Sequence, residues 1–217
     1  MSAKYWILNI MVIMLIACEA SKPDVQYSIS TCAPIPVPRA AAVSFVVGEY
    51  AYVFGGRDAE GNYLNDLWRY DIANDAWTSM RETPLRSRVN ATACVRNGIV
   101  YIGLGFNGQY SNSTGYLSDW WSYNASTDTW QQLSDFPANT TARAISLVGD
   151  GELYVGYGFC WTYERDMYRY NIAEDMWSFI DVHLDRKAFT FPTRSFGGVG
   201  TTCQNRYFVG TGFRAYS

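Results

Sequence analysis

The sequence predicts an all-β fold built from repeated four-stranded antiparallel units, and three observations lead to that prediction. A tryptophan that follows a short turn recurs at Trp77, Trp130 and Trp177, with spacings of 53 and 47 residues. A glycine-bearing run rich in valine, isoleucine and tyrosine precedes each of these tryptophans. A tyrosine-bearing segment lies between the glycine run and the tryptophan. Self-similarity at a fixed period of this size is typical of a repeat architecture.

The elements of one unit follow from this pattern in order. An arginine opens each unit ahead of the first strand, at Arg39, Arg88, Arg143 and Arg194. The second strand is predicted at the glycine runs, residues 51–56, 100–105, 153–158 and 207–212. The third strand is predicted at the tyrosine-bearing segments, residues 67–72, 120–124 and 167–172. The polar pair before each tryptophan predicts a tight hairpin with left-handed backbone, after which the fourth strand begins.

One such sheet cannot bury both of its faces, so the sheets are predicted to stack radially as the blades of a propeller. The repeated tryptophans and tyrosines would then fill the space between blades. We name the strands of a blade a to d, with a innermost. Recurrence at the same phase favours packing over ligand binding for these aromatic rings.

Composition excludes several classes of function. The chain has 217 residues, 17 Lys+Arg against 20 Asp+Glu, a net charge of −3 and one histidine. An acidic balance without a basic run provides no field for nucleic acid. A single histidine excludes sites that need two imidazoles, such as H-E-x-x-H zinc sites. We expect no metal and no cofactor, and we expect His183 to be a solvated loop residue.

The N-terminus is predicted to direct export. Lys4 precedes an apolar run over residues 5–17, which is too short to cross a bilayer and is typical of a signal peptide. The run ends in Leu15-Ile16-Ala17-Cys18, which resembles a bacterial lipobox and implies lipidation of Cys18. Ordinary cleavage after Ala20 is the alternative. We therefore expect a signal peptide over 1–17, a tether over 18–24 and an outer-membrane lipoprotein of the cell envelope, held by its lipid alone.

Four further cysteines, Cys32, Cys94, Cys160 and Cys203, permit disulfides in an exported chain. No C-x-x-C motif or tight cluster is present, so we expect free cysteines buried in strands.

From about residue 25 onward the repeat resembles the kelch repeat of the galactose oxidase-like superfamily. That repeat has a glycine-rich second strand, a tyrosine in the third strand and a tryptophan in the fourth, although the double glycine is intact only at Gly55-Gly56. The resemblance implies a β-propeller over 25–217, with blades at 39–83, 88–136 and 143–182 and a partial blade at 194–217. Residues 25–31 are expected to be an orphan strand d. We expect a truncated six- or seven-bladed ring, with a four-bladed ring short of one strand as the alternative.

Candidate ligand-binding residues lie in the loops between strands b and c and at the opening arginines, because both reach the same face of a propeller. Loops on a rigid scaffold are where binding residues concentrate. The candidates are Arg57, Asp58, Tyr63, Asn107, Gln109, Tyr110, Trp161, Tyr163, Arg165, Arg88, Arg143 and Arg194. Their rings and amides suit a sugar, and the arginines suit a carboxylate such as that of an acidic sugar. Structural salt bridges are the alternative for the arginines.

These features favour a binding module for a glycan or a protein over an enzyme. Copper enzymes of the galactose oxidase type need more than one histidine, which this chain lacks. Sialic acid mutarotases are also exported kelch propellers, so a carbohydrate epimerase of that type is the alternative, with Asp58, Glu60 and Glu164 as available carboxylates. A surface protein that contacts partners through blade edges is a third hypothesis. A fold alone does not choose between them.

Overall fold

The computed structural model describes residues 31–109, 115–138, 141–160, 162–180, 195–203, 206–210 and 213–214. The chain divides into two units, Met1–Cys32 and Ala33–Ser217, and every described strand belongs to the second. The predicted signal peptide, Cys18, the tether and residues 25–30 of the predicted orphan strand lie outside the described residues, as does His183. No helix that is long and apolar enough to cross a membrane occurs among the described residues.

The structure contains three complete four-stranded antiparallel sheets and part of a fourth unit, which confirms the predicted all-β blades. Blade 1 comprises β1 (Val43–Val47), β2 (Tyr50–Arg57), β3 (Tyr63–Asp71) and β4 (Ala76–Ser79). Blade 2 comprises β5 (Thr92–Arg96), β6 (Ile99–Gly103), β7 (Trp120–Asn124) and β8 (Thr129–Leu133). Blade 3 comprises β9 (Ile145–Val148), β10 (Glu152–Cys160), β11 (Thr162–Asn171) and β12 (Met176–Ile180). The fourth unit comprises β13 (Ser195–Phe196), β14 (Val199–Cys203), β15 (Arg206–Gly210) and β16 (Phe213–Arg214), paired as β13–β16 and β14–β15.

The hairpin between strands c and d has the predicted left-handed residue in every complete blade. Asp75, Asp128 and Asp175 have φ of 50°, 52° and 51°. Each carboxylate accepts a hydrogen bond from the tyrosine hydroxyl of strand c, at 2.5 Å for Tyr70, 2.9 Å for Tyr123 and 2.5 Å for Tyr170. The aspartate therefore closes the turn and also satisfies a hydroxyl at the edge of the core, and burial together with this contact raises the pKa of Tyr123 and Tyr170.

Aromatic rings fill the space between blades, as predicted. Within blades, the strand-c tyrosine lies against the strand-d tryptophan at centroid distances of 4.9, 4.5 and 4.7 Å. Between blades 1 and 2, Phe54 contacts Trp130 at 6.4 Å. Between blades 2 and 3, the fully buried Trp120 contacts Trp177 at 5.5 Å. The strand-d tryptophans and Trp120 are therefore packing residues.

The double-glycine position explains why only its second glycine persists along the chain. The first position has φ of 64° at Gly55, 58° at Leu104 and 52° at Tyr157, and it accepts a side chain in blades 2 and 3, whereas a Cβ on Gly55 would lie 2.8 Å from the Arg88 carbonyl oxygen. At the second position, a Cβ would lie 2.9 Å from the Ala40 carbonyl oxygen at Gly56 and 2.7 Å from that of Val89 at Gly105. Backbone cannot yield at such distances, so the second position requires glycine.

A series of backbone hydrogen bonds links the starts of the innermost strands. The N–H of Asn90 donates to the Ala41 carbonyl at 2.8 Å, and the N–H of Arg143 donates to the Asn90 carbonyl at 3.0 Å. The N–H of Gly197 continues the series to the Arg143 carbonyl at 3.4 Å. All four residues are left-handed, with φ of 57°, 54°, 60° and 65°. Ala41, Asn90, Arg143 and Gly197 are therefore equivalent positions, and we call them the inner ladder.

The inner ladder corrects the predicted phase of the arginines. Isolated bridges join Ala40 to Arg57, Val89 to Phe106 and Ala142 to Phe159. In this register the residue before the bridge is an arginine in blades 1 and 2, Arg39 and Arg88, but Thr141 in blade 3. Arg143 stands two positions later, on the inner ladder. The prediction that one arginine opens each unit in phase is therefore wrong for blade 3, because spacing between repeats does not determine hydrogen-bond register.

Cys32 and Cys94, the cysteines whose side chains the structure describes, differ in burial. Cys94 is free and buried, as predicted, and burial raises the pKa of its thiol to about 12. Cys32 is free but exposed.

Candidate functional site

A pocket of about 450 Å³ lies where the starts of strands a meet the ends of strands b in blades 1 to 3. This is the face on which the sequence predicted ligand binding. Its lining residues are Ala40, Ala41, Arg57, Tyr63, Val89, Asn90, Phe106, Tyr116, Ala142, Arg143 and Phe159. We call it the arginine–aromatic pocket. It borders a second space of about 420 Å³ that is lined by the innermost strands, and Asn90 and Arg143 line both spaces.

A continuous chain of aromatic rings forms one wall of the pocket. Tyr63 of blade 1 contacts Phe106 of blade 2 edge-on, with centroids 6.3 Å apart. Phe106 contacts Tyr116 at 4.9 Å, and Tyr116 contacts Phe159 of blade 3 at 6.3 Å. Gly108 permits this approach, because a Cβ there would lie 2.8 Å from the Tyr63 ring. Rings from three blades therefore form one apolar surface that can stack on the C–H face of a ligand.

Two exposed arginines, from blades 1 and 3, line the same pocket. Arg57 ends β2, and Arg143 lies on the inner ladder, where its backbone N–H donates to Asn90 of blade 2. No aspartate, glutamate or histidine is among the described residues that line this pocket. The pocket therefore combines two cations, an amide and an apolar wall. Guanidinium groups bind carboxylates through paired N–H donors, so this arrangement suits an anionic ligand with an apolar face.

Arg88, which was predicted as a ligand-binding residue, instead holds the scaffold. Its guanidinium is fully buried and donates to both carboxylate oxygens of Asp119 at 2.7 Å. It also donates to the carbonyl oxygens of Leu104 at 3.1 Å and Arg86 at 2.9 Å. These contacts and the burial leave no face for a ligand, so the salt-bridge alternative applies to Arg88.

The same arrangement occurs in blade 1, and we call the two pairs the arginine clamps. Arg39 donates to Asp66 at 2.5 and 2.9 Å and to the Gly55 carbonyl at 3.1 Å. Burial opposes the charge of Asp66, but hydrogen bonds from Arg39 and Trp68 outweigh burial and hold the pKa of this carboxyl below its usual value.

Three other predicted residues support loops and lie outside the pocket lining. Both Asp58 oxygens accept from Asn62, from its backbone N–H at 2.7 Å and from its side-chain amide at 2.9 Å, so Asp58 closes the b–c loop of blade 1. These bonds hold the Asp58 pKa below its usual value. Asn107 accepts from the Gln109 backbone N–H at 3.0 Å and forms the corresponding turn in blade 2.

Of the predicted site residues, Arg57, Tyr63 and Arg143 meet at the pocket. Tyr110, Trp161 and Arg194 lie outside the described residues. So do the side chains of Tyr163, Arg165 and Glu164, whose backbone belongs to β11.

Sequence reasoning missed the other eight lining residues, four of which bring an amide or a ring: Asn90, Phe106, Tyr116 and Phe159. Alignment on the second glycine would have found two of them, since Arg57, Phe106 and Phe159 each follow that glycine directly. Asn90 has no such signal, because its place depends on the register of the inner ladder.

The described lining offers binding chemistry and no acid–base pair. No group of three or more histidine, cysteine or carboxylate side chains that could hold a metal occurs among the described residues.

Comparison with known families agrees with this architecture. The KLHDC2/KLHL20/DRC7 Kelch-repeats domain matches residues 11–212.

Curated relatives resemble parts of the chain. N-acetylneuraminate epimerase 1 of Escherichia coli O6:H1 is 30% identical over 124 residues, which are 54% of this chain and 29% of that protein. Kelch domain-containing protein 3 of Mus musculus is 28% identical over 118 residues, 48% of this chain and 30% of that protein. The matched segments thus span about 30% of the length of these relatives.

Among solved structures, that of YjhT is similar with a TM-score of 0.67 and 17% identity. The similarity covers 84% of this chain and 62% of that one, and it supports the fold.

Proposed function

The chain belongs to the KLHDC2/KLHL20/DRC7 Kelch-repeats domain family, and from that premise we propose that it is a binding module for an acidic sugar. The ligand would occupy the arginine–aromatic pocket, with its carboxylate between Arg57 and Arg143 and its ring against the aromatic wall. The observation that carries the proposal is the pair of exposed arginines in a lining without a described carboxylate. A protein partner held through the b–c loops is the alternative ligand of such a binding module.

The experiment measures binding of N-acetylneuraminic acid to the full chain by isothermal titration calorimetry. Arg143→Gln is expected to weaken binding about tenfold or more, because a hydrogen bond to a charged group contributes about 1.5–3 kcal/mol. Arg57→Gln is expected to act in the same direction.

Two controls separate the carboxylate contact from a general effect of charge. Arg81→Gln removes the same charge at an exposed position outside the pocket and should leave affinity unchanged. The methyl ester of the sugar should bind the parent protein as weakly as the acid binds Arg143→Gln. Equal affinity for acid and ester would exclude the proposed carboxylate contact.

A carbohydrate epimerase is the second candidate, and the segment similar to N-acetylneuraminate epimerase 1 favours it. NMR exchange between the anomers of N-acetylneuraminic acid tests it directly. Exchange accelerated by the parent chain, and lost in Arg143→Gln, would establish the enzyme. Exchange at the uncatalysed rate, with binding retained, would exclude the epimerase and support the binding module.

Export and lipid anchoring at Cys18, in the outer membrane of a cell envelope, complete the proposal, and the lipobox-like sequence supports them. Labelled palmitate should be incorporated into the parent chain and into Cys32→Ser, but not into Cys18→Ser. Incorporation into Cys18→Ser would exclude this site.

A further inference from the structure

A second groove, of about 340 Å³, adjoins the arginine–aromatic pocket at Tyr116, which lines both. We call it the outer groove and define it by Arg86, Tyr116, Trp121, Gln132 and Asp135. Arg86 belongs to the connection between blades 1 and 2, whereas Trp121 and Gln132 belong to β7 and β8. Because the two spaces share Tyr116, a ligand longer than one sugar ring would have to extend along this side chain to occupy both.

Trp121 gives the outer groove an oriented ring. Its indole N–H donates to Asp119 Oδ2 at 2.9 Å, and that carboxylate is itself fixed by the buried Arg88. The ring is half-buried and packs against the core of blades 1 and 2, so its remaining face is held in place before any ligand arrives. A fixed aromatic face is a stacking platform with a small entropic cost of binding.

Polar groups surround this ring with balanced charge. Gln132 lies directly opposite Trp121 in the antiparallel ladder, so the amide and the ring share one face of the sheet. Arg86 and Asp135 are both exposed and bring one charge of each sign, while Asp119, which also lines the groove, is neutralised by its ion pair with Arg88. The outer groove thus offers N–H donors, carbonyl and carboxylate acceptors and a ring, which fits the hydroxyl groups of a neutral sugar. The arginine–aromatic pocket, with two cations, does not share this balance.

We propose that the outer groove is a second sugar subsite, so that the chain binds an acidic oligosaccharide whose neutral sugar lies on Trp121. This inference rests on the proposed function, since the acidic residue of the same ligand would occupy the arginine–aromatic pocket. The ligand of this proposal is an oligosaccharide that ends in an acidic sugar.

The test compares three probes on the full chain: N-acetylneuraminic acid, lactose, and the trisaccharide in which the first is linked to the second. The parent protein is expected to bind the trisaccharide about tenfold more tightly than the monosaccharide. Gln132→Ala should remove about fivefold to tenfold of the trisaccharide affinity, as one or two hydrogen bonds provide, and leave the monosaccharide affinity within twofold.

Gln131→Ala is the matched control, because Gln131 is the exposed neighbour on the same strand and pairs with Ser122 on the opposite face. It should change neither affinity. Arg86→Ala is a second test variant. Because Arg86 is exposed, its replacement should not disturb the core, and it should lower the trisaccharide affinity as Gln132→Ala does.

The outcomes separate the two proposals. Equal affinity for monosaccharide and trisaccharide overturns the outer subsite and leaves the acidic-sugar function standing. Loss of both affinities in Gln132→Ala also overturns the subsite. Lactose binding that depends on Gln132, without binding of N-acetylneuraminic acid, supports the outer subsite as a sugar site and overturns the acidic-sugar function.

Discussion

Blades 1 and 2 differ from blade 3 at the position just before strand a enters the sheet. In blades 1 and 2 an arginine clamp joins that position to the aspartate that precedes strand-c residues Leu67 and Trp120. In blade 3 the same two positions are Thr141 and Asp166, and no ion pair to Asp166 is found within the described part of the chain. The arginine of blade 3 instead lies on the inner ladder and lines the pocket.

The comparison teaches that one residue type has two roles at neighbouring positions. Before the bridge, an arginine is enclosed, satisfies carbonyl oxygens and stabilises the blade. Two residues later, an arginine is exposed to the pocket. Residue identity and approximate spacing are the same, so only the hydrogen-bond register distinguishes scaffold from site.

The largest expected effect is on stability, from removal of the clamp in blade 2. Arg88→Ala should destabilise the fold by about 4 kcal/mol, because it leaves the partly buried Asp119 carboxylate without its cation and two carbonyl oxygens without the guanidinium donor. Urea denaturation followed by tryptophan fluorescence measures this change. Arg81→Ala, whose side chain is 80% exposed, is the control and should cost less than about 0.5 kcal/mol. A similar loss for both variants would show that the clamp has no special role.

A smaller effect is expected from building a clamp where blade 3 lacks one. Thr141→Arg should raise the free energy of unfolding by about 1 kcal/mol, since Thr141 and Asp166 line one small cavity at the positions that Arg88 and Asp119 occupy in blade 2. The gain should vanish in the Asp166→Asn background, which a double-mutant cycle measures. A gain that persists without the carboxylate would contradict the equivalence of the three blades.

The smallest expected effect is a pH dependence at the clamp of blade 1. Because the Asp66 pKa is lowered in the folded state, its charge stabilises the fold above the unfolded pKa of about 3.9 and ceases to do so as pH falls through the folded value. The difference in urea midpoint between the parent and Asp66→Asn should therefore be present at pH 6 and shrink toward pH 3. Asp150→Asn, at an exposed carboxylate, controls for the general effect of acid. A difference that stays constant would contradict the lowered pKa.

Much of the blade could be predicted because its determinants are local. Asp75 and its equivalents carry both the turn conformation and a hydrogen-bond partner within five residues, and Gly56 is required by contact with its own blade.

The same local pattern also accounts for the contacts of Ala33, ahead of blade 1. Its N–H donates to Asp75 at 2.6 Å and its carbonyl accepts from Trp77 at 2.8 Å, as Ser134 after β8 does with Asp175 and Trp177. It thus holds the place expected of a residue that follows a strand d.

The site was less predictable because it is assembled across blades. Tyr63, Phe106 and Phe159 are about 50 residues apart in the chain and meet only through register and bulges that no local pattern records. Loop variability directed attention to Asp58 and Asn107, but those side chains fold their own loops. The residues that face the pocket come instead from strand ends, which in blades 1 and 3 follow a bulge at the first position of the glycine pair, Gly55 and Tyr157.

The inner ladder separates what the fold requires from what a ligand meets. Every link is made by backbone N–H and carbonyl groups, so four different residue types, Ala41, Asn90, Arg143 and Gly197, occupy equivalent positions. Ala41, Asn90 and Arg143 face one pocket from three directions. Selection can therefore change the side chain at one ladder position, and so the chemistry of the pocket, without disturbing the backbone hydrogen bonds of the ladder. Ligand preference in such propellers can diverge quickly while the blades remain the same.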